Sequence, residues 1–166
     1  MRILGVDPGT AIVGYGILDK QGNQFSLVDY GCIRTKAHTP MSDRLYQIFQ
    51  ELDTLIKTYQ PDTMAVEELF FNNNVTTALT VGQARGIILL LGKMHNLPLG
   101  EYTPSQVKQG VTGYGKAEKK QIQEMVKVIL AMPILPKPDD AADALAVAIC
   151  HGHSNSRWGD IIRGGR

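Results

Sequence analysis

The stretch that decides the fold is residues 2–16, which read RILGVDPGTAIVGYG. Arg2 to Asp7 is a short apolar run rich in β-branched residues, and Pro8-Gly9 stops it, which predicts a buried strand followed by a tight turn. Ile12 to Leu18 predicts a second strand, which pairs antiparallel with the first because the connection is short. The first strand therefore carries an acid, Asp7, at its carboxyl end.

The remaining pattern predicts two more kinds of element, a hairpin strand and a series of helical crossovers. The third strand, Phe25 to Thr35, follows the turn at 20–23. Beyond it, apolar periods and Pro or Gly boundaries predict a helix at 41–59, a strand at 63–67, a helix at about 75–95, a strand at 97–102, a short helix from 103, a glycine-rich loop at 110–115, a helix at 116–130 and a last helix at 139–151. Helical crossovers make strands four and five parallel to the first. The predicted class is α/β: a mixed five-stranded sheet, three antiparallel strands and then two parallel ones, with helices on both faces, as in the ribonuclease H-like fold.

Length and composition are those of a globular protein. The 166 residues predict one domain at 1–153 and a flexible C-terminal tail at 154–166. The longest apolar run, Ile87 to Leu91, is too short to cross a bilayer, and no signal-peptide pattern opens the chain. Cys32 and Cys150 have no metal-type spacing and predict reduced thiols. These features favour a cytoplasmic protein that does not contact membranes.

The charge of the chain is near balance but unevenly distributed. The net charge is only +1, yet five lysines against two glutamates lie between Lys108 and Lys127. Such a segment is either a phosphate-binding patch or a solvated helix face with some paired charges, and the charge pattern alone favours neither.

Four acids stand where this fold would bring them together. Asp7 and Glu67 end strands one and four, while Asp140 and Asp143 lie in the first turns of the last helix, three residues apart and so on one face. Each has an ordinary alternative: Asp7 as a turn former, Asp140 as a helix cap, and Glu67 as a surface charge. Asp143 is harder to explain this way, because it directly precedes an apolar stretch of the last helix, 144–148. A charge that enters a buried helix needs a partner or a metal. As a set, the four favour a site.

A cluster of carboxylates needs a counter-charge. Two like charges at ~4 Å repel by about 4 kcal/mol at an effective dielectric near 20. Magnesium or manganese would remove this repulsion, since both prefer hard oxygen ligands. Two such ions support phosphodiester hydrolysis by water without a covalent intermediate.

The order and spacing of several motifs resemble the RuvC family of Holliday-junction resolvases. The matching segments run from residue 3 to about 153 and are 5–10 with 14–16, 31–35, 65–68, 82–86, 106–109 and 140–146. The resemblance implies a homodimeric, metal-dependent endonuclease of ribonuclease H-like fold, which cuts four-way DNA junctions symmetrically and works with RuvA and RuvB. It implies that the catalytic, metal-binding acids are Asp7, Glu67, Asp140 and Asp143.

The resemblance also implies DNA contacts. Phe70 corresponds to a phenylalanine that contacts junction bases, although the ordinary fate of this side chain is core packing. Lys108 and Lys119 correspond to functional lysines. Lys116, in the basic segment, and Arg85, in the motif at 82–86, are further predicted DNA contacts.

Several neighbouring residues leave alternatives open. Gly82 and Gly86 serve either close packing on the sheet or a helix contact in a dimer. Glu68 should face away from Asp7, because successive strand side chains alternate. Asp139 is assigned to helix capping. His151 and His153 could suggest a transition-metal site, but they are out of register for one helix face and are predicted to lie on the surface.

Three other functions compete with junction cleavage. An ATP-binding protein of the actin, Hsp70 or sugar-kinase type also begins with Asp-x-Gly-Thr, but it needs two such lobes and this chain has one. A nuclease of the same fold acting on an RNA–DNA hybrid or a transposition intermediate would use the same acids. A non-catalytic module for branched DNA would gain nothing from four acids beside phosphates.

Overall fold

The computed structural model describes residues 1–69 and 75–163. The strands and helices over these residues are, in chain order, β1 (Arg2–Asp7), β2 (Ile12–Gln21), β3 (Gln24–Arg34), α1 (Met41–Tyr59), β4 (Thr63–Glu67), α2 (Val75–Met94), β5 (Leu99–Tyr102), α3 (Pro104–Thr112), α4 (Lys119–Ile129) and α5 (Asp139–Arg163). None of the helices in these two ranges combines the length and the apolar character that a membrane span requires.

The sheet has five strands in the order β3-β2-β1-β4-β5. β1 pairs antiparallel with β2, and β2 with β3, through short connections. β4 runs parallel to β1, and β5 runs parallel to β4, because a helix crosses over between them. The predicted mixed sheet is confirmed, and β1 and β4, whose last residues are acids, are neighbours at its centre.

Side chains alternate along the central strands and face two separate apolar cores. Ile3 of β1 and Ala65 of β4 pack with apolar residues of α3, α4 and α5. Leu4 of β1 and Met64 of β4 pack on the opposite face with α1 and α2. The predicted helices on both faces are therefore confirmed. Since odd-numbered residues of both strands share a face, Asp7 and Glu67 belong to the α5 side of the sheet.

Helix α5 approaches the sheet closely because β1 and β2 present glycines to it. Gly14 of β2 pairs in register with Asp7 of β1. A Cβ atom at Gly14 would overlap the backbone carbonyl of Asp140. Only glycine leaves room for this approach, which brings the first turn of α5 to the end of β1.

Two boundaries differ from the sequence-based prediction. α5 continues to Arg163, well beyond His151 and into the stretch predicted as a flexible tail, whose last residues, 164–166, lie outside the described ranges. The residues directly after His151 make contacts of their own. Ser154 Oγ donates to the Cys150 carbonyl (2.9 Å), and the His153 ring is hydrogen-bonded to the Gly110 carbonyl (2.8 Å). α3 continues to Thr112, which shortens the glycine-rich loop predicted at 110–115.

Candidate active site

Two of the predicted acids meet at the carboxyl ends of adjacent parallel strands. Val6 of β1 is in register with Val66 of β4, so Asp7 and Glu67 follow side by side. Their carboxyl groups share a hydrogen bond. The predicted choice of Glu67 as the acid that reaches Asp7 agrees with this contact.

The other two acids enter from the first turns of α5. Asp140 lies opposite Gly14, the β2 neighbour of Asp7. The negative charges of Asp143 and Asp140 both raise the pKa of Asp7. Helix α5 therefore brings its two acids within electrostatic reach of the strand ends, as the spacing predicted.

The protonation of Asp7 reports how crowded these acids are. Burial is the main cause that raises its pKa, to about 8. The charge of Glu67 is the next cause, followed by the charges of Asp143 and Asp140 and by the hydrogen bond to Glu67. Desolvation and like charges both disfavour a carboxylate, so the group holds a proton near neutral pH in the absence of a counter-cation.

Glu67 and Asp143 show the same crowding, which nearby lysines moderate. Burial and then the charge of Asp143 raise the pKa of Glu67, while the hydrogen bond from Asp7 and the lysine charges oppose the rise. Burial also raises the pKa of Asp143, and its hydrogen bond with Lys119 opposes that rise. An acid cluster with its own cations is a common feature of catalytic sites.

Lys108 and Lys119 line a cavity of about 230 Å³ together with two of the acids, Glu67 and Asp143. The cavity is lined by Glu67, Pro104, Val107, Lys108, Lys119, Ile122, Asp143 and Ala146. Nζ of Lys119 lies 3.1 Å from Oδ2 of Asp143 and 3.3 Å from Oδ2 of Asp139. Burial alone would lower the pKa of Lys119, but these two ion pairs outweigh it and raise the pKa.

Lys108 is positioned by the start of α3. Thr103 caps this helix: its hydroxyl accepts from the Gln106 backbone N–H (3.2 Å), and the Gln106 side chain accepts from the Thr103 N–H (2.9 Å). This capping box fixes the first turn directly after β5. Val107 is buried beneath it, so Lys108 is directed into the cavity rather than to open solvent.

The acids are neighbours but do not form a closed set of metal ligands. In the part of the chain that the structure describes, no three His, Cys, Asp or Glu side chains already converge on one point. Like carboxylates repel one another, and the ammonium group of Lys119 is already paired with Asp143. The donors themselves are partly buried hard oxygens, the type that Mg²⁺ and Mn²⁺ bind, and the pKa values of Asp7, Glu67 and Asp143 are raised mainly by burial.

Comparison with known proteins decides the family. The model of the family described as crossover junction endodeoxyribonuclease RuvC matches residues 3–151. The chain belongs to the RuvC family. The match includes both strands and the first turns of α5, and so all four acids of the site.

Relatives and solved structures agree with this assignment. The crossover junction endodeoxyribonuclease RuvC of Heliobacterium modesticaldum is 62% identical over 163 residues, which cover 98% of this chain and all of that protein. The structure of Thermus thermophilus RuvC matches with a TM-score of 0.88 at 32% identity, over 96% of this chain and 97% of that one. The same Thermus protein in complex with a Holliday junction substrate matches with a TM-score of 0.89, over 96% of each chain. The ribonuclease H-like fold expected from the sequence is thereby confirmed.

The remaining predicted DNA contacts lie in different surroundings. Lys116 is exposed in the connection between α3 and α4. Arg85 of α2 forms an ion pair with Glu101 of β5, and its buried Nε has no hydrogen-bond partner among the described residues. Phe70 lies outside the described residues.

Two residues near the site behave differently from the sequence-based prediction. Asp139, assigned to helix capping, uses both carboxylate oxygens to hold α4, through Gln123 Nε2 (3.0 Å) and Lys119. His151, predicted to be a surface residue, is only 4% exposed. His153 is exposed, so the two histidines do lie on different faces, but the face that carries His151 packs on the sheet.

Proposed function

We propose that the protein is a structure-selective endonuclease that resolves four-way DNA junctions in recombination and repair. It hydrolyses one phosphodiester bond on each of two opposing strands, at symmetric positions, and leaves nicks that ligase can seal. The observation that carries this proposal is that Asp7 and Glu67 share a hydrogen bond at one end of the sheet, where the charges of Asp140 and Asp143 also act on Asp7. The complex of the Thermus relative with a Holliday junction supports the choice of substrate.

The four acids are proposed to hold the catalytic metal, most simply two Mg²⁺ ions per site, with Mn²⁺ as a substitute. When bound, such ions would activate water and neutralise charge on the phosphodiester. The residues contribute the rest. Asp7 would give up its proton when a metal binds, and Glu67, Asp140 and Asp143 would supply further oxygen ligands.

The lysines of the cavity are proposed to guide the scissile strand. Lys108 and Lys119 share a cavity with Glu67 and Asp143, where they would contact phosphate oxygens rather than bases. Lys116 would contact the DNA backbone near the cavity. Arg85 would also contact the DNA backbone, once its ion pair with Glu101 is broken. Phe70 is proposed to stack on a junction base, a contact worth ~1–3 kcal/mol, on the strength of the family resemblance alone.

A homodimer is proposed to present two active sites to the near-symmetric junction. Helix α2 offers the surface for it. Leu79, Leu90 and Met94 are 67%, 51% and 57% exposed, and a Cβ atom at Gly86 would meet nothing within 4 Å. Open space at Gly86 is the opposite of packing against the sheet, and it fits the close approach of a second helix. The protein is proposed to act in the cytoplasm, together with RuvA and RuvB. Residues 1–153 are proposed to form its single nuclease domain.

Junction cleavage is tested directly with labelled synthetic DNA. A four-way junction, a linear duplex of the same sequence and an RNA–DNA hybrid are incubated with the protein and Mg²⁺. Paired symmetric cuts in the junction alone, sealed by ligase and absent for Asp7→Asn, are expected. Asp7→Asn should still bind the junction, because it removes a proposed metal ligand and leaves the proposed phosphate contacts of Lys108 and Lys119 in place. Cleavage of the hybrid or duplex instead would move the protein to another nuclease activity, and tight ATP binding without cleavage would overturn the proposal.

A further inference from the structure

His151 lies in the interior between α5 and the sheet, with both ring nitrogens hydrogen-bonded. Nε2 is 2.9 Å from the hydroxyl of Thr63, the first residue of β4, and Nδ1 is 2.8 Å from the hydroxyl of Tyr102, the last residue of β5. The ring sits against Gly100, where any Cβ atom would overlap it. One side chain of α5 is therefore bonded to two adjacent strands.

The direction of these hydrogen bonds follows from the number of protons. Thr63 Oγ1 donates its proton to the Pro98 carbonyl (2.9 Å), so it can only accept from His151. His151 Nε2 therefore carries the ring proton, and Nδ1 accepts from the Tyr102 hydroxyl. The ring is neutral, in agreement with the burial that lowers its pKa to about 4. Each polar group of this chain of bonds has its partner, which makes the arrangement specific.

The distance from the bonds of His151 to the active site is similar along β4 and along α5, the two elements that His151 joins. Thr63 and Glu67 are four residues apart on the α5 side of β4, a span of about 13 Å at ~3.3 Å per residue. His151 and Asp143 are eight residues apart on one face of α5, a span of about 12 Å at ~1.5 Å per residue. When His151 bonds Thr63 at one end, Asp143 lies beside Glu67 at the other, where the two line one cavity.

The face of α5 that packs on the sheet is rich in small residues. It carries five buried alanines besides Leu145, Val147 and Ile149, and it rests on glycines of β1 and β2. A Cβ atom at Gly5, for example, would meet both Ala144 and Ala148, one helical turn apart. A slide of one turn would place Ala144 where Ala148 now lies and would leave the buried His151 without its bonds to Thr63 and Tyr102. Buried polar groups fix the register of coiled coils in the same way.

We propose that His151 is a positioning residue for catalysis: its bonds to Thr63 and Tyr102 fix the axial register of α5 on the sheet, so that Asp143 meets Glu67 at the metal site. The inference deepens the proposed function and rests on it, because the register matters for the metal that these acids would hold. His151 touches neither substrate nor metal in this role.

The experiment removes one hydrogen-bonding atom and keeps the shape of the side chain. Thr63→Val eliminates the oxygen that accepts from His151, and Thr63→Ser retains it. Binding of Mg²⁺ is measured in two ways, as the rise in melting temperature at a fixed millimolar concentration without DNA and as the Mg²⁺ concentration that half-saturates junction cleavage. Thr63→Val should weaken Mg²⁺ binding by about tenfold, the lower range for loss of a group that orients metal ligands, and Thr63→Ser should restore it. Junction binding without metal should be unchanged.

A control separates lost register from lost stability. Ile56→Val truncates the core between α1 and the opposite face of the sheet, where Ile56 is 3% exposed, and should lower the melting temperature without changing the Mg²⁺ response. Tyr102→Phe, which removes the second bond of His151, should weaken Mg²⁺ binding in the same direction as Thr63→Val. If both variants lose stability as Ile56→Val does while the Mg²⁺ response stays at the wild-type value, the inference is wrong. A wild-type protein with no Mg²⁺ response at all would overturn the proposed function and the inference with it.

Discussion

Nζ of Lys119 on α4 lies 3.1 Å from Oδ2 of Asp143 on α5. A lysine of the proposed DNA surface is thus bonded to a carboxylate of the proposed metal site. The pair partly neutralises the acids in the metal-free protein, and it would have to open for Asp143 to bind a metal. The freed ammonium group would then be available to a phosphate.

Replacement of Lys119 tests this competition. Lys119→Met should increase the melting-temperature rise caused by Mg²⁺ in the absence of DNA, since the cluster becomes more negative and loses its internal cation. Cleavage of the junction should fall by at least about tenfold, the loss that follows removal of about 1.4 kcal/mol of transition-state stabilisation. Lys120→Met, at the exposed neighbouring position, is the matched control and should change neither. An unchanged Mg²⁺ response in Lys119→Met would contradict the competition.

The stability of the metal-free protein should depend on pH through Asp7. Its folded-state pKa of about 8 lies above the unfolded value of about 4, so the folded state holds the extra proton between these values. Stability from this group is therefore fully present below about pH 4 and is lost as pH rises toward 8. Asp7→Asn removes the titration, and urea unfolding in a metal chelator should show it more stable than the wild type by roughly 1–3 kcal/mol above about pH 8. Parallel pH curves for the two proteins would contradict the crowded site.

The close approach of α5 at Gly14 should be intolerant of a methyl group. Gly14→Ala should lower the free energy of unfolding by about 1–3 kcal/mol, the usual cost of overpacking, because the Cβ atom would overlap the Asp140 carbonyl. It should also weaken Mg²⁺ binding, since the overlap pushes the acids of α5 away from Asp7. Gly16→Ala, which meets the Leu145 side chain farther from the acids, separates the two effects. Equal Mg²⁺ binding by both variants would argue against this positioning role of Gly14.

The exposed face of α2 should control the oligomeric state. Leu90→Glu places a charge in the middle of the proposed dimer surface and should convert a dimer to a monomer in sedimentation equilibrium. The monomer itself should remain folded, because Leu90 is 51% exposed and surface substitutions usually cost within about 0.5 kcal/mol. Val128→Glu, at a 68% exposed site on α4, is the control. A Leu90→Glu protein that stays dimeric would place the interface elsewhere.

The role of Lys108 should be visible in the salt dependence of junction binding. Lys108→Ala removes one proposed phosphate contact and should reduce the slope of log affinity against log salt by about 1, without changing sequence preference. Lys57→Ala is the control, because Lys57 lies on α1, on the other side of the sheet. Equal slopes for the two variants would remove Lys108 from the DNA surface.

The local sequence pattern was sufficient to predict which strands and which helix carry the four acids. Asp7 and Glu67 were predicted from the ends of two apolar runs, and parallel strands joined by a crossover necessarily end at the same edge. The three-residue spacing of Asp140 and Asp143 similarly places them on one helix face. The lengths of α3 and α5 were less predictable, because their last turns depend on contacts such as that between His153 and Gly110, which join segments distant in sequence.

The sequence by itself determined the sheet, its two layers of helices and the places of four acids at the strand ends and at the start of the last helix, because period and chain order carry that information. Only the tertiary structure decided which cation pairs with which acid, and whether a polar residue of α5 faces water or the sheet. Lys119 could have been a solvated charge, and His151 was predicted to be one of the surface residues. Their partners, Asp143 and Thr63, lie 24 and 88 residues away along the chain, and only the packing of α4 and α5 on the sheet brings these groups together.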